Sequence, residues 1–396
     1  MTFKKCVLVA AISAALTACG SSSDPDQPGS LNSSSSSSGD EIAWDSCERF
    51  NTAQGFATLG DGTTGGADLG SGNHEVGATT GAEIVALLAS DEYADQPLTI
   101  YIDDLITWEN SDNSSVKITR NNVSLIGRSE NAGFEGVGIE LREGASNVII
   151  RNLELRLVPQ SHSPGDLISL DGRNGAISNV WIDHNEMYNS RTAPDSANCS
   201  DEDCHKDYYD ELVSGRSEVH NVTISYNYMH DSWKTSLWGS SDDAAEDVGR
   251  NITFNHNLWE NTNSRLPLFR YGEAHLFNNY FVDVDGSAIN MRMGAEARVD
   301  GNVFENVSHP ITSQFSSERG YWDVEDNIFN NVSAEGDCPT TGGECKGAHE
   351  ESTTAYTPGY TYDRLPASEV KDYVTTYAGL GVLDDCLDLP PVSESR

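Results

Sequence analysis

Residues 221–281 read NVTISYNYMHDSWKTSLWGSSDDAAEDVGRNITFNHNLWENTNSRLPLFRYGEAHLFNNYF. Short β-branched runs, each closed by an Asn and an aromatic or Met, return again and again, with Lys234, Arg265 and Arg270 standing between them. The same phrase extends in both directions. It starts at Val148-Ile149-Ile150-Arg151-Asn152 and Val180-Trp181-Ile182-Asp183-His184-Asn185, and it persists to Trp322-Asp323-Val324-Glu325-Asp326-Asn327. Self-similarity of this kind marks a solenoid, whose units bury their apolar face only against their neighbours. The recurrent Asn falls at 152, 185, 227, 257, 279, 302 and 327, and its later intervals of 22, 23 and 25 residues suit one turn of a three-sheet coil.

The expected fold is therefore all-β, a right-handed single-stranded parallel β-helix. Alternate β-branched residues point inward, and the Asn is expected to take the strained bend, where its amide can ladder with those above and below. Longer early intervals imply flanking loops, the largest at 186–210 around Cys199 and Cys204. GAEIVALLAS at 81–90 reads as a helix capping the N-terminal end, as repeats of this type require. Hairpin signals and regularly alternating helices are both scarce, which excludes a sandwich or a doubly wound sheet. The tail from about Cys338 has no solenoid period and is expected to pack back along the coil.

Outside the repeats, residues 1–18 combine Lys4 and Lys5 with an apolar run and a small-residue end before Cys19, the pattern of a lipoprotein-type signal peptide. Cys19 is then the expected lipid anchor to the outer membrane, and residues 19–40, with Ser33 to Ser38, a flexible tether. The solenoid is assigned to 41–396 and is expected to be a monomer. The chain carries a formal charge of −38, which argues against a nucleic-acid partner and makes any local cluster of cations notable. Beyond Cys6 and Cys19, the remaining cysteines are even in number, as befits an oxidising compartment. Cys199 with Cys204, Cys338 with Cys345, and Cys47 with Cys386 are the expected pairs, the last tying the first strand to the C-terminal arm.

Laid out in this way, the chain resembles the extracellular pectate and pectin lyases. The resemblance is carried by GFATLGDGTTGG at 55–66, SLIG at 124–127, GDLISLDG at 165–172, VWIDH at 180–184, VTISYNYMHDSWKTSLWGSSDD at 222–243 and SRLPLFRYGEAHLFNNYF at 264–281, in the expected order. It implies calcium-assisted β-elimination of 4-linked galacturonan, giving unsaturated oligogalacturonides. Such chemistry neutralises the uronate, removes the C5 proton and expels the C4 oxygen. Arg265 matches the family's proton-abstracting arginine, and Lys234 and Arg270 match its carboxylate clamps. Arg292 and Arg216 match further substrate-facing cations, and Phe315 sits where relatives carry Tyr.

Asp166 and Asp210 match two acidic ligands for calcium (Ca2+), with Ser214 at the position of a third that is usually Asp. Calcium takes six to eight oxygens, so Glu211, Asp207, water or the substrate must complete the set. Asp183 and His184 of VWIDH, with His256 and His275, read as packed structural residues. Two other readings share the same residues: a pectin lyase acting on methyl-esterified chains without calcium, and a non-catalytic polysaccharide-binding solenoid.

Overall fold

The computed structural model describes residues 42–67, 74–94, 96–333, 349–387 and 389. The expected signal peptide, Cys19, the Ser-rich tether and the pair Cys338 and Cys345 lie outside the described residues. The strands fall into three sheets of ten, eight and nine members among the described residues, and each joins strands of successive coils in the parallel sense. This is the parallel β-helix expected from the repeats.

Registers explain why the pattern repeats. Val148, Val180, Val222, Ile252, Ala274 and Ala297 are partnered in one row of the ten-stranded sheet, and Ile150, Ile182, Ile224, Phe254, Leu276 and Val299 in another. Every one of these side chains is fully buried. Each Val, Ile, Leu and Phe among them contributes about 1.5–3 kcal/mol by leaving water, and the two alanines less, so the core is a set of columns along the axis. A column of rings, Trp259, Phe281, Phe304 and Phe329, fills another line of the interior.

The Asn ladder runs from Asn185 through Asn227, Asn257, Asn279 and Asn302 to Asn327. In each step the amide Nδ2 and the backbone N–H donate to the Oδ1 of the next coil's Asn, at 2.9–3.1 Å. Nδ2 also donates to a carbonyl of the preceding coil, as from Asn257 to Ile224 at 2.9 Å. Two details differ from the sequence reading. The positive φ falls on the residue before each ladder Asn, at His184, Tyr226, His256, Asn278, Gly301 and Asp326, because the Asn itself must stay extended to reach both neighbours. Asn152 is not a rung: Arg151 is paired with Asp183, so Asn152 aligns with His184 and takes the bend position, with φ 57°.

The helix Gly81–Leu88 covers the N-terminal coil as expected, with a Thr80–Glu83 capping box and Ile84 fully buried. The outer face of the ten-stranded sheet is covered by the segments around Phe56 and around Tyr360. Phe56 and Ala57 donate backbone N–H groups to Thr253 and Thr223, while Tyr360 bonds Thr253 and His275, and Tyr362 bonds Asp300. The tail thus packs back along the coil, and its helix Ala367–Tyr377 buries Val370 and Val374 against Tyr280, Val282 and Val303. Cys47 and Cys386 form a disulfide that joins the two ends, and Cys199–Cys204 closes the inserted loop. Cys47 opens a short helix, Cys47–Phe50, rather than a strand.

Asp183 and His184 are structural, as read. Asp183 accepts from Arg151 Nη2 at 2.7 Å, His184 Nδ1 at 2.7 Å and Ser225 Oγ at 2.7 Å, wholly away from water. His184, Tyr226 and His256 stack face to face. Burial drives the His256 pKa down to about 3.

Two consequences are testable. Asn257→Ala strands the N–H of Asn227 and the carbonyl of Ile224 in the interior, so chemical denaturation should show a loss of about 2–5 kcal/mol. His256 stays neutral in the folded chain while an unfolded one gains a proton below pH 6.5, so stability falls as pH drops. From pH 7 to pH 5 this ring alone costs about 2 kcal/mol, and the pH dependence of unfolding in His256→Phe should be flatter by that amount.

Candidate active site

The eight-stranded sheet positions the site. Its consecutive strands include Ile168–Asp171, Val213–Arg216, Ser236–Trp238, Leu268–Arg270 and Ile289–Arg292. Asp166, then Asp210 and Glu211, then Lys234, then Arg265 precede these strands by two or three residues on successive coils. At the other ends stand Asp171, Arg216, Arg270 and Arg292, with Asp171 registered to Arg216 and Arg270 to Arg292. Coils are spaced by about 4.8 Å, so residues far apart in sequence form two rows bordering one groove.

The acidic end comes first. Asp166, Asp210 and Glu211 each direct a carboxylate oxygen to within 4.8 Å of the others. They line a cavity of about 150 Å³ with Pro164, Ser214 and Arg216. Burial pushes Asp166 up to about 7, Asp210 beside it pushes the same way, and the Ser214 hydroxyl and Arg216 oppose them. Ser214 Oγ donates to Asp166 Oδ2 at 2.6 Å, and the Glu211 N–H donates to its Oδ1 at 3.2 Å. The third carboxylate of the cluster is therefore Glu211, four residues' spacing being replaced by direct adjacency to Asp210, while Ser214 orients Asp166. Three hard oxygen donors around one cavity, one of them costly to ionise without added positive charge, fit a calcium ion.

The cationic end follows. Lys234 Nζ pairs with Asp207 at 2.9 Å and Asp210 at 3.3 Å. Burial works against the ammonium, but these two carboxylates outweigh it and hold its pKa above the ordinary value. Lys234 and Ser264 form a parallel bridge, which sets Arg265 beside Lys234 on the next coil. The backbone of Arg265 has φ 68°, and its carbonyl accepts from the Ser236 N–H at 2.7 Å. Its guanidinium pairs with Glu211. Burial lowers the Arg265 pKa, with Arg270 acting in the same direction against Asp210, Asp166 and Asp207.

Arg270 Nε donates to Asp242 at 2.7 Å and its Nη1 to the Gly239 carbonyl at 2.9 Å. Gly239, at φ 90°, is needed here because a Cβ would come within 2.8 Å of the Arg270 Cβ. Arg292 is buried, and burial together with Arg270 and Arg265 lowers its pKa. Arg216 is half-buried, with Nε 3.7 Å from Asp171. Phe315 is 60% exposed. Asp242 accepts from the Ser317 N–H and hydroxyl at 3.0 and 2.8 Å, tying the Arg270 side of the groove to the turn that carries Phe315.

The structure thus brings Asp166, Asp210, Ser214, Lys234 and Arg265 into one contiguous network, with Arg270 and Arg292 adjoining it. Asp242 was not singled out from sequence, although it lies inside the quoted WGSSDD, because nothing local ties it to Arg270 across a 28-residue separation.

Comparison with known proteins matches this arrangement to a family. The pectate lyase family model matches residues 46–383. A pectate trisaccharide-lyase of Bacillus licheniformis is 40% identical over 332 residues, 84% of this chain and 87% of its own. Pectate lyase A of Aspergillus niger is 36% identical over 329 residues, 83% of this chain and 87% of its own. Among solved structures, a Bacillus pectate lyase in complex with trigalacturonate aligns with a TM-score of 0.71 at 35% identity, covering 84% of this chain and 100% of that one. Pectate lyase C of Erwinia chrysanthemi, solved with Ca2+, aligns with a TM-score of 0.70 at 26% identity, covering 86% and 98%. Matched by the family model over most of its length and sharing the fold of these relatives, the chain belongs to the pectate lyase family.

Proposed function

We propose that this chain cleaves de-esterified 4-linked galacturonan by β-elimination, with Arg265 as the group that takes the C5 proton. The observation that carries the reading is the juxtaposition of an acidic cluster and five buried or half-buried cations, Arg216, Lys234, Arg265, Arg270 and Arg292, along one groove of a strongly acidic protein. Arg270 and Arg292 stand one coil apart, about 4.8 Å and close to the length of one sugar unit, and Arg216 stands two coils before Arg270, so a uronate chain laid along the axis can meet all three. Asp166, Asp210 and Glu211 would hold calcium, whose contribution when bound is to neutralise a substrate carboxylate and lower the cost of charge at C5.

The chain's own residues supply the rest. Arg270 is held by Asp242 and the Gly239 carbonyl, and Arg292 by its buried position, so both meet a carboxylate without reorganising. Arg216 stands toward the acidic end, and exposed Phe315 offers a ring face at the far end. A guanidinium is ordinarily a poor base, and the burial that lowers the Arg265 pKa, together with the neighbouring cation Arg270, moves it toward that role. The C5–H electron pair becomes the C4–C5 double bond as the C4–O bond breaks, and the leaving oxygen takes a proton from solvent. A methyl ester would offer Arg292, which burial leaves without water, no charge to pair with, which favours pectate over pectin.

The purified chain mixed with polygalacturonate at alkaline pH should raise the ultraviolet absorbance of unsaturated uronide, and excess chelator should remove the rise. Arg265→Ala should lower kcat by about 10²–10⁴ with little change in KM. Activity confined to methylated pectin would transfer the reading to a pectin lyase, and silence on both substrates to a binding protein.

The same reading places the enzyme outside the cytoplasm, tethered to the outer membrane through Cys19 by the Ser-rich segment. Cys19→Ser should move the activity from the membrane fraction to the soluble fraction, and an unchanged distribution would exclude the anchor.

A further inference from the structure

The ion pair between Glu211 and Arg265 occupies both of the groups on which the proposed chemistry depends. Glu211 is one of the three carboxylates converging on the cavity, and its side chain is only 4% exposed, so water offers it little alternative solvation. Arg265 belongs two coils further along the groove and reaches back past Lys234 to make the contact. The other two acids are already engaged. Both oxygens of Asp166 accept hydrogen bonds, from Ser214 and from the Glu211 backbone, and Asp210 is shared by Lys234 at 3.3 Å and Gln160 at 3.4 Å. Ser214 brings no charge of its own, so the third negative charge available to a divalent cation is the one Arg265 holds.

We propose that Glu211 is a shared carboxylate for which Arg265 and the divalent cation compete, so that loading the acidic cluster releases the Arg265 guanidinium into the groove. The inference rests on the reading of Asp166, Asp210 and Glu211 as a calcium site. A buried carboxylate attracts a double charge more strongly than a single one at similar distance, and calcium needs the oxygen to approach six ligands. Arg265 is short of other partners in its present place among the described residues, since Glu211 is the carboxylate it contacts. Coupling between the two events is reciprocal: the Arg265–Glu211 pair weakens calcium binding by the same factor as bound calcium weakens the pair. The cation then acts as a gate on the arginine as well as a partner of the substrate, and the unloaded enzyme keeps its base paired.

Calorimetric titration of the full chain with calcium chloride, in the absence of substrate, tests this directly. Arg265→Ala should bind calcium about tenfold more tightly than the wild type, and Glu211→Gln about tenfold more weakly, the scale of one charged hydrogen bond. In the Glu211→Gln background, Arg265→Ala should add little. Arg265→Met, which keeps the aliphatic stem, is read in the same way if the alanine variant does not fold. Equal tightening in both backgrounds would mean a general charge effect and overturn the proposal, as would an affinity that Arg265→Ala leaves unchanged. Calcium binding by the wild type with no such coupling removes this inference alone, whereas absence of binding in all four chains removes the calcium site with it.

Discussion

Each coil of this protein must turn a corner inside a dry interior, and the buried Asn ladder is what makes that turn tolerable. A bend between two parallel sheets leaves an N–H and a carbonyl without strand partners, and an orphaned buried group of this kind costs about 1–3 kcal/mol. From Asn185 to Asn327 one amide per coil satisfies both, donating backward to a carbonyl and accepting from the preceding rung. Because each rung is bonded to the next, the ladder also fixes the register of one coil on another. The apolar columns follow from that register, as do the positions of all outward side chains.

A fixed register is what turns scattered residues into a groove. Asp166 and Arg265 are separated by nearly a hundred positions, yet both stand just before strands of the same sheet. The loops between coils can lengthen without disturbing this, since a loop changes the interval in sequence but not the stacking of the strands it joins. The insertion that carries Cys199–Cys204 shows the effect: it brings Asp207 and Asp210 to the groove while the strands either side keep their pairing.

The two terminal segments perform a different task. They lie over the ten-stranded sheet, where buried Thr253, Thr223 and His275 are bonded to them, the helix Ala367–Tyr377 continues onto the nine-stranded sheet, and the Cys47–Cys386 disulfide joins them. With those faces covered, the eight-stranded sheet is left to present the charged rows. Within these rows every cation has a carboxylate or carbonyl close by, which is how a chain of such negative charge keeps positive groups in place without substrate.

The repeat, and with it the parallel β-helix and its capping helix, was determined by the sequence itself, because inward-facing residues must recur wherever coils stack. So were Arg265, Arg270, Lys234, Asp166 and Asp210 as candidates, through motifs that keep their order. The bend geometry was not legible: the αL residue and the ladder Asn are adjacent, and only the observed register tells His184 from Asn185 or shows that Asn152 belongs with the former. Nor could the sequence reveal that Glu211 rather than Ser214 brings the third charge, that it pairs with Arg265, or that Asp242 holds Arg270. Those contacts join side chains of different coils, 28 or 54 residues apart, whose reach and direction depend on loop conformation and burial, and only the tertiary structure decides these.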